Sequence, residues 1–133
     1  MYGYESVTID TGVASGGSTA ATSNSTSTHV VTGEICSIGL TYGDSPPAGT
    51  DVTIATTGDH GPALTILTLT NANTDGWFHP YHKADDETGA DITYDGTRVF
   101  YTRVCVSDTI KVTIAQANND DSVEAVIIYS AGR

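Results

Sequence analysis

The chain has 133 residues, with 16 Asp and Glu against 5 Lys and Arg, a formal net charge of -11. That length closes one sandwich- or barrel-sized core and leaves no room for a second domain of similar size. The five cations, Lys83, Arg98, Arg103, Lys111 and Arg133, are scattered along the sequence, so the basic footprint required by nucleic acid or an anionic membrane is missing.

Thr, Ser, Gly, Asp, Val and Ile dominate, whereas Leu, Lys, Glu, Arg and Met, which fill helical faces, are scarce. The composition therefore reads as β before any pattern is considered. The opening MYGYESVTID has no positive segment followed by an apolar one, and no run approaches the roughly 20 apolar residues of a membrane span. Neither a signal peptide nor a membrane anchor is expected in the chain as given.

In chain order, Tyr4 to Thr11 (YESVTIDT) alternates and is rich in β-branched residues, which predicts a first strand or an extended arm. Gly12 to Thr28 (GVASGGSTAATSNSTST) has almost no large apolar group to offset its ordering entropy, and on its own it reads as a flexible linker. Residues 1–28 are accordingly set apart as an N-terminal strand and arm, and residues 29–133 as a β-sandwich domain.

From His29, HVVTGEICSIGLTYG predicts one long strand, bent at Gly33 or Gly39, that ends in the turn cluster Gly43 to Gly49. Thr50 to Thr56 (TDVTIAT) alternates, with Val52 and Ile54 on one face. Gly58-Asp59-His60-Gly61-Pro62 then breaks the pattern before a further strand over Ala63 to Thr70. The loop NANTDG leads to Trp77-Phe78-His79-Pro80-Tyr81, where Pro80 marks an edge or a strand boundary, and then to an acidic loop over Lys83 to Gly89.

Asp95-Gly96, inside ITYDGTRVF, is the strongest hairpin signal and predicts a type I′ turn. Strands over Val99 to Val106, Thr109 to Ala115 and Ser122 to Tyr129 close the chain. Short strands with turn signals between them, and no helical period, predict an all-β fold: an antiparallel, jelly-roll-like sandwich of about eight strands.

Candidate chemistry is thin. His79 and His82 beside Asp85, Asp86 and Glu87 are metal-ligand residue types, but an i, i+3 pair on a strand points to opposite faces. The acidic loops at Asp85 to Glu87 and Asn118 to Asp121 lack the alternating ligands and closing Glu of a calcium loop. No G-x-S-x-G elbow or phosphate-binding glycine loop is present. No catalytic residue, metal or cofactor is therefore assigned, and the chain reads as a non-enzyme.

Cys36 and Cys105 match neither a CxxC metal site nor a dense disulfide framework. Free thiols are the favoured state, and one disulfide is the alternative if their strands are neighbours. Among the aromatics, Trp77 and Phe78 are expected to cap the core, which has little other large apolar volume. Tyr2 and Tyr4, with Val7 and Ile9 of the same segment, are the candidate partner contacts, together with Trp77 and Tyr81.

The Ser/Thr/Gly-rich arm, followed by TDVTIATT, ILTLTNANTDGWFHPY, GADITYDG and SDTIKVTIAQANNDDSVEAVIIY, resembles small phage virion proteins of the capsid decoration (cement) type. The resemblance spans roughly Thr32 to Tyr129 and lies in style and segment order, so no functional residue is carried across by it. It implies a homotrimer seated on the major capsid protein at the capsid exterior, made in the host cytoplasm, with the N-terminal arm laid over a capsid or sister subunit. A carbohydrate-binding or adhesin-like sandwich that stacks sugars on Trp77 and Tyr81, and a phage tail or appendage subunit, are the alternatives.

Overall fold

The computed structural model describes residues 3–131. Within them the chain is all-β and antiparallel, with eleven strands and no helix: β1 (Tyr4–Asp10), β2 (Ala21–Thr26), β3 (Val31–Gly43), β4 (Asp51–Thr56), β5 (Thr65–Leu69), β6 (Gly76–Phe78), β7 (Tyr81–Lys83), β8 (Tyr101–Arg103), β9 (Cys105–Asp108), β10 (Ile110–Ala117) and β11 (Ser122–Ser130). The expected count was about eight; the excess comes from short strands flanking a ribbon that the sequence pattern does not delimit.

One sheet runs β1-β11-β3-β6, with β9 also paired to β3, and the other runs β2-β10-β4-β5. The first strand therefore pairs with the last and the second with the penultimate. Strict alternation builds the core between the sheets. Ile35, Ile38 and Leu40 of β3, Val52 and Ile54 of β4, Ile110, Val112 and Ile114 of β10, and Val123, Ala125 and Ile127 of β11 are all buried. Such apolar side chains gain roughly 1.5–3 kcal/mol each when they leave water.

β3 spans 13 residues, and of the two glycines where a bend was expected, Gly33 has a positive φ and Gly39 does not. Its pairing with β11 slips where Ile128 faces Ser37 while Tyr129 faces Ile35, leaving Cys36 as the extra residue of a bulge. The bulge turns both Cys36 and Ser37 away from the core while Ile35 and Ile38 stay inside. Gly33 has φ 145°, and a Cβ there would overlap the carbonyl oxygen of Ser130, so only glycine fits.

The N-terminal segment is not an arm. β1 pairs along its whole length with β11, from Tyr4 opposite Ser130 to Asp10 opposite Glu124, and places Val7 and Ile9 in the core at 7% and 3% exposure. Those two side chains are therefore unavailable to a partner, while Tyr4 is exposed and Tyr2 lies outside the described residues.

The Ser/Thr/Gly tract is equally integrated. It supplies β2, the edge strand beside β10, and buries Ala14 and Ala21. Asn119 Oδ1 accepts the amides of Gly16 and Gly17 at 3.1 and 3.0 Å, and Asn118 Oδ1 accepts the amide of Thr19 at 2.9 Å. The tract is held by backbone hydrogen bonding that a count of apolar side chains does not register.

Candidate docking site: the projecting ribbon and the Trp77 face

β6 and β9 share one edge of β3, at Ile38 to Leu40 and Val31 to Glu34 respectively. Between them the ladder is open at the Cys36 bulge, and there the chain leaves the sheet as a ribbon, residues 79–103, with β7 paired to β8 at its base and two short hairpins beyond, bridged at Asp85–Asp91 and Thr93–Val99. Arg103 donates to the carbonyl of Cys36 at 3.5 Å, and His79 Nδ1 lies 3.4 Å from that carbonyl and 3.2 Å from Ser37 Oγ. The base of the ribbon thus caps the backbone group that the bulge leaves without a ladder partner.

From Tyr81 to Phe100 every residue is exposed except Ala84 and Val99, which are half-buried. β7 pairs with β8, setting Tyr81 opposite Arg103 and Lys83 opposite Tyr101. Alternation puts these four residues on one face of the ribbon. The Arg103 guanidinium lies 5.9 Å from the Tyr81 ring centroid.

Farther out, Tyr94 and Phe100 pack with centroids 5.2 Å apart, and Arg98 sits 5.7 Å from the Tyr94 ring and donates to its hydroxyl at 3.1 Å. Lys83 and Arg98 pair with Asp91 and Asp95 at 3.2 and 3.3 Å. Three of the five cations of the chain, scattered in sequence, therefore gather on the ribbon between aromatic rings.

The Asp95-Gly96 turn is not type I′. Gly96 has φ 80°, but Asp95 keeps a negative φ and its carboxylate accepts the amides of Thr97 and Arg98 at 3.0 and 2.7 Å. An Asx-type loop replaces the tight turn, because the side chain competes with the two-residue hairpin pattern. These amides hold the Asp95 carboxyl below its ordinary range, and the Thr88 hydroxyl and neighbouring amides do the same for Asp86.

Trp77 departs from the expected core cap. Phe78 packs partly buried against the core, but its neighbour Trp77 faces outward and is 59% exposed. Opposite it in the ladder stands Gly39, and a Cβ built there would meet the benzo ring of the indole at 2.9 Å. The ring lies flat on the glycine. Alternation decides the outcome: only one of two adjacent strand residues can face the core, and register gives that place to Phe78, opposite Ile38.

Beside the indole is a shallow depression of about 280 Å³ lined by Gly39, Leu40, Thr41, Asp75, Gly76, Trp77 and Val126. Asp75 accepts the amide of Tyr42 at 2.8 Å. Burial, reinforced by the Asp75 charge, pushes the Tyr42 hydroxyl up to about 12.

Among the described residues no three His, Cys, Asp or Glu side chains gather as metal ligands. His79 turns to Ser37 and the Cys36 carbonyl, and both thiols are free. The most connected carboxylate, Asp108, has no exposed surface and closes β9. Burial alone would raise its pKa, but the amides of Gly58, Thr109 and His60 and the Thr57 hydroxyl outweigh that and lower it to about 2. Its role is to fasten the loop after β4 to the end of β9.

The ribbon's Tyr94, Phe100 and Tyr101 were missed in the sequence, although Tyr81 was singled out. The usable signal was a long stretch of strand-forming residues interrupted by Asp and Gly on both sides of 95–96, with no buried face.

No protein-family model and no curated protein matches the chain. Among solved structures, the crystal structure of FlhE aligns over 96% of both chains at 11% identity and a TM-score of 0.42. The exo-β-1,3-galactanase of Phanerochaete chrysosporium, with galactose, aligns over 96% of this chain and 29% of its own, at 15% identity and a TM-score of 0.32. These likenesses are too distant to assign a family.

Proposed function

We propose that the protein is a non-enzymatic structural subunit that fastens to a larger assembly through the 79–103 ribbon, in the manner of a phage capsid decoration protein. The supporting observation is the ribbon itself. Tyr81, Tyr94, Phe100 and Tyr101 are exposed at 52%, 56%, 47% and 62% on a ribbon with no second layer. An isolated ribbon is marginal in water, and rings interleaved with cations are what protein interfaces bury.

In this reading the sandwich is the rigid body and the ribbon the grip. The partners are the major capsid protein and sister subunits of a homotrimer, and the site of action is the virion exterior. Many modest contacts on a repeating lattice add up through effective concentration. The acidic body, carrying most of the -11 net charge, discourages unspecific packing and favours a basic receiving surface.

Solution mass by light scattering, for the full chain and for a variant with Ala84 to Phe100 replaced by Asn-Gly, tests the self-associating subunit. A trimer that falls to monomer on shortening is the expected result; a monomer in both cases removes it. Virions purified from the host that carries the gene and probed with antibody test the capsid assignment, which fails if the protein is absent from the particles.

A further inference from the structure

The geometry points to a binding platform for a neutral, equatorially substituted pyranose on the outer face around Trp77, a site separate from the ribbon. One face of the indole is committed to Gly39, where no Cβ intervenes. The ring is nevertheless 59% exposed, so its opposite face meets solvent. A planar aromatic held flat and open offers a π-surface of the size of a sugar ring, and a pyranose with equatorial hydroxyls presents a matching flat face of axial C–H groups.

The adjoining depression supplies the rest of such a site. Val126 lies across β3 from the indole, with Gly39 between them, and extends the apolar floor. Asp75 and Thr41 line the same depression. Asp75 commits Oδ1 to the Tyr42 amide, and its carboxylate is the acceptor assigned to a sugar hydroxyl.

The charge narrows the ligand class. The lining holds one acid and no cation, and the next row of the sheet adds Glu124, opposite Thr41, and Asp10. Uronate and sialate sugars would be repelled there, whereas a neutral β-linked glucan is accepted. A ring that merely covered Gly39 to support the β3–β6 pairing would need neither the depression nor a hydroxyl acceptor in it.

Trp77 is the only tryptophan in the chain, so emission excited on the red edge, beyond tyrosine absorption, reports on this ring alone. Cellohexaose titrated into the full-length protein is expected to shift that emission to the blue with saturation, at a Kd on the order of 0.1–1 mM. An oligogalacturonate of equal length should produce no shift. By calorimetry Trp77→Ala, checked for folding by far-UV circular dichroism, should weaken cellohexaose binding at least tenfold, while Trp77→Phe retains part of it. No shift at millimolar cellohexaose overturns the inference, as does equal binding by Trp77→Ala. Emission that moves to the red on dilution without sugar also overturns it, because it assigns the ring to a protein contact.

Discussion

The sandwich and the ribbon are made from the same kinds of residue and use them in opposite ways. In the sandwich, β4, β10 and β11 alternate so that every second side chain is sealed between two sheets, with Val52, Ile54, Ile110, Val112, Ile114 and Ile127 at 0% exposure. In the ribbon, Ile92 and Tyr94 alternate with polar residues just as well, and they, Phe100 and Tyr101 remain exposed. Strand-forming pattern specifies which face would be buried; a second layer decides whether it is. Where that layer is absent, an apolar face is left for something outside the chain.

The comparison is tested most severely from the sandwich side. Ile38 is fully buried at the point where β3 meets both β11 and β6. Ile38→Ala is expected to destabilise by ~2–5 kcal/mol in urea unfolding, as the lost burial and the residual cavity add.

Next in size is Asp108. Its folded value of about 2 lies below the ordinary 3.8, so the unfolded chain binds more protons in that interval. The contribution is complete above the ordinary value and is lost as pH falls from 3.8 through about 2. Asp108→Asn should lower the melting temperature at neutral pH and flatten the acid limb of stability, measured by urea unfolding across that range.

Asn118→Ala or Asn119→Ala removes the acceptor for the Gly16 to Thr19 backbone, at a cost of ~1 kcal/mol. Faster amide hydrogen exchange in that tract is the local signature. The smallest effect belongs to the ribbon: replacing Ala84 to Phe100 with Asn-Gly should change sandwich stability by less than ~1 kcal/mol. A larger loss would show that the ribbon is part of the folded body and would erase the contrast.

Some of this organisation was visible in the residues. TDVTIAT, the run around Ile110 to Ala115 and Ser122 to Tyr129 became β4, β10 and β11 almost unchanged, because period-two alternation is local. The irregular backbone of β3 at Gly33 was partly visible, since a glycine inside a strand run marks a special position, though Gly39 was an equal candidate. β2 was not visible: ATSNST has no apolar stripe, and its strand state is imposed by β10 beside it. The Val99 to Val106 run was read as one strand but divides at Val104, where the chain passes from the ribbon back to β3.

The candidate site was less legible. Trp77 and Tyr81 stand out by residue type alone, but exposure is a property of register, and register depends on pairing with β3. The grouping of Lys83 and Arg103 with Tyr101 and Tyr81 needs the antiparallel return of the chain, which brings residues about 20 apart in sequence face to face, whereas Arg98 meets Tyr94 locally.

By itself the sequence determined the all-β antiparallel class, the alternating core of the central strands and the acidic character of the chain. These follow from composition and from patterns shorter than one strand. Only the tertiary structure decided that the first 28 residues include two edge strands of the sandwich, that Phe78 and not Trp77 enters the core, and that 79–103 leaves the sheet at the Cys36 bulge. Each of those outcomes depends on which distant strand supplies hydrogen-bond partners and a covering face, and pairings between the two ends of the chain are not written in any local stretch of it.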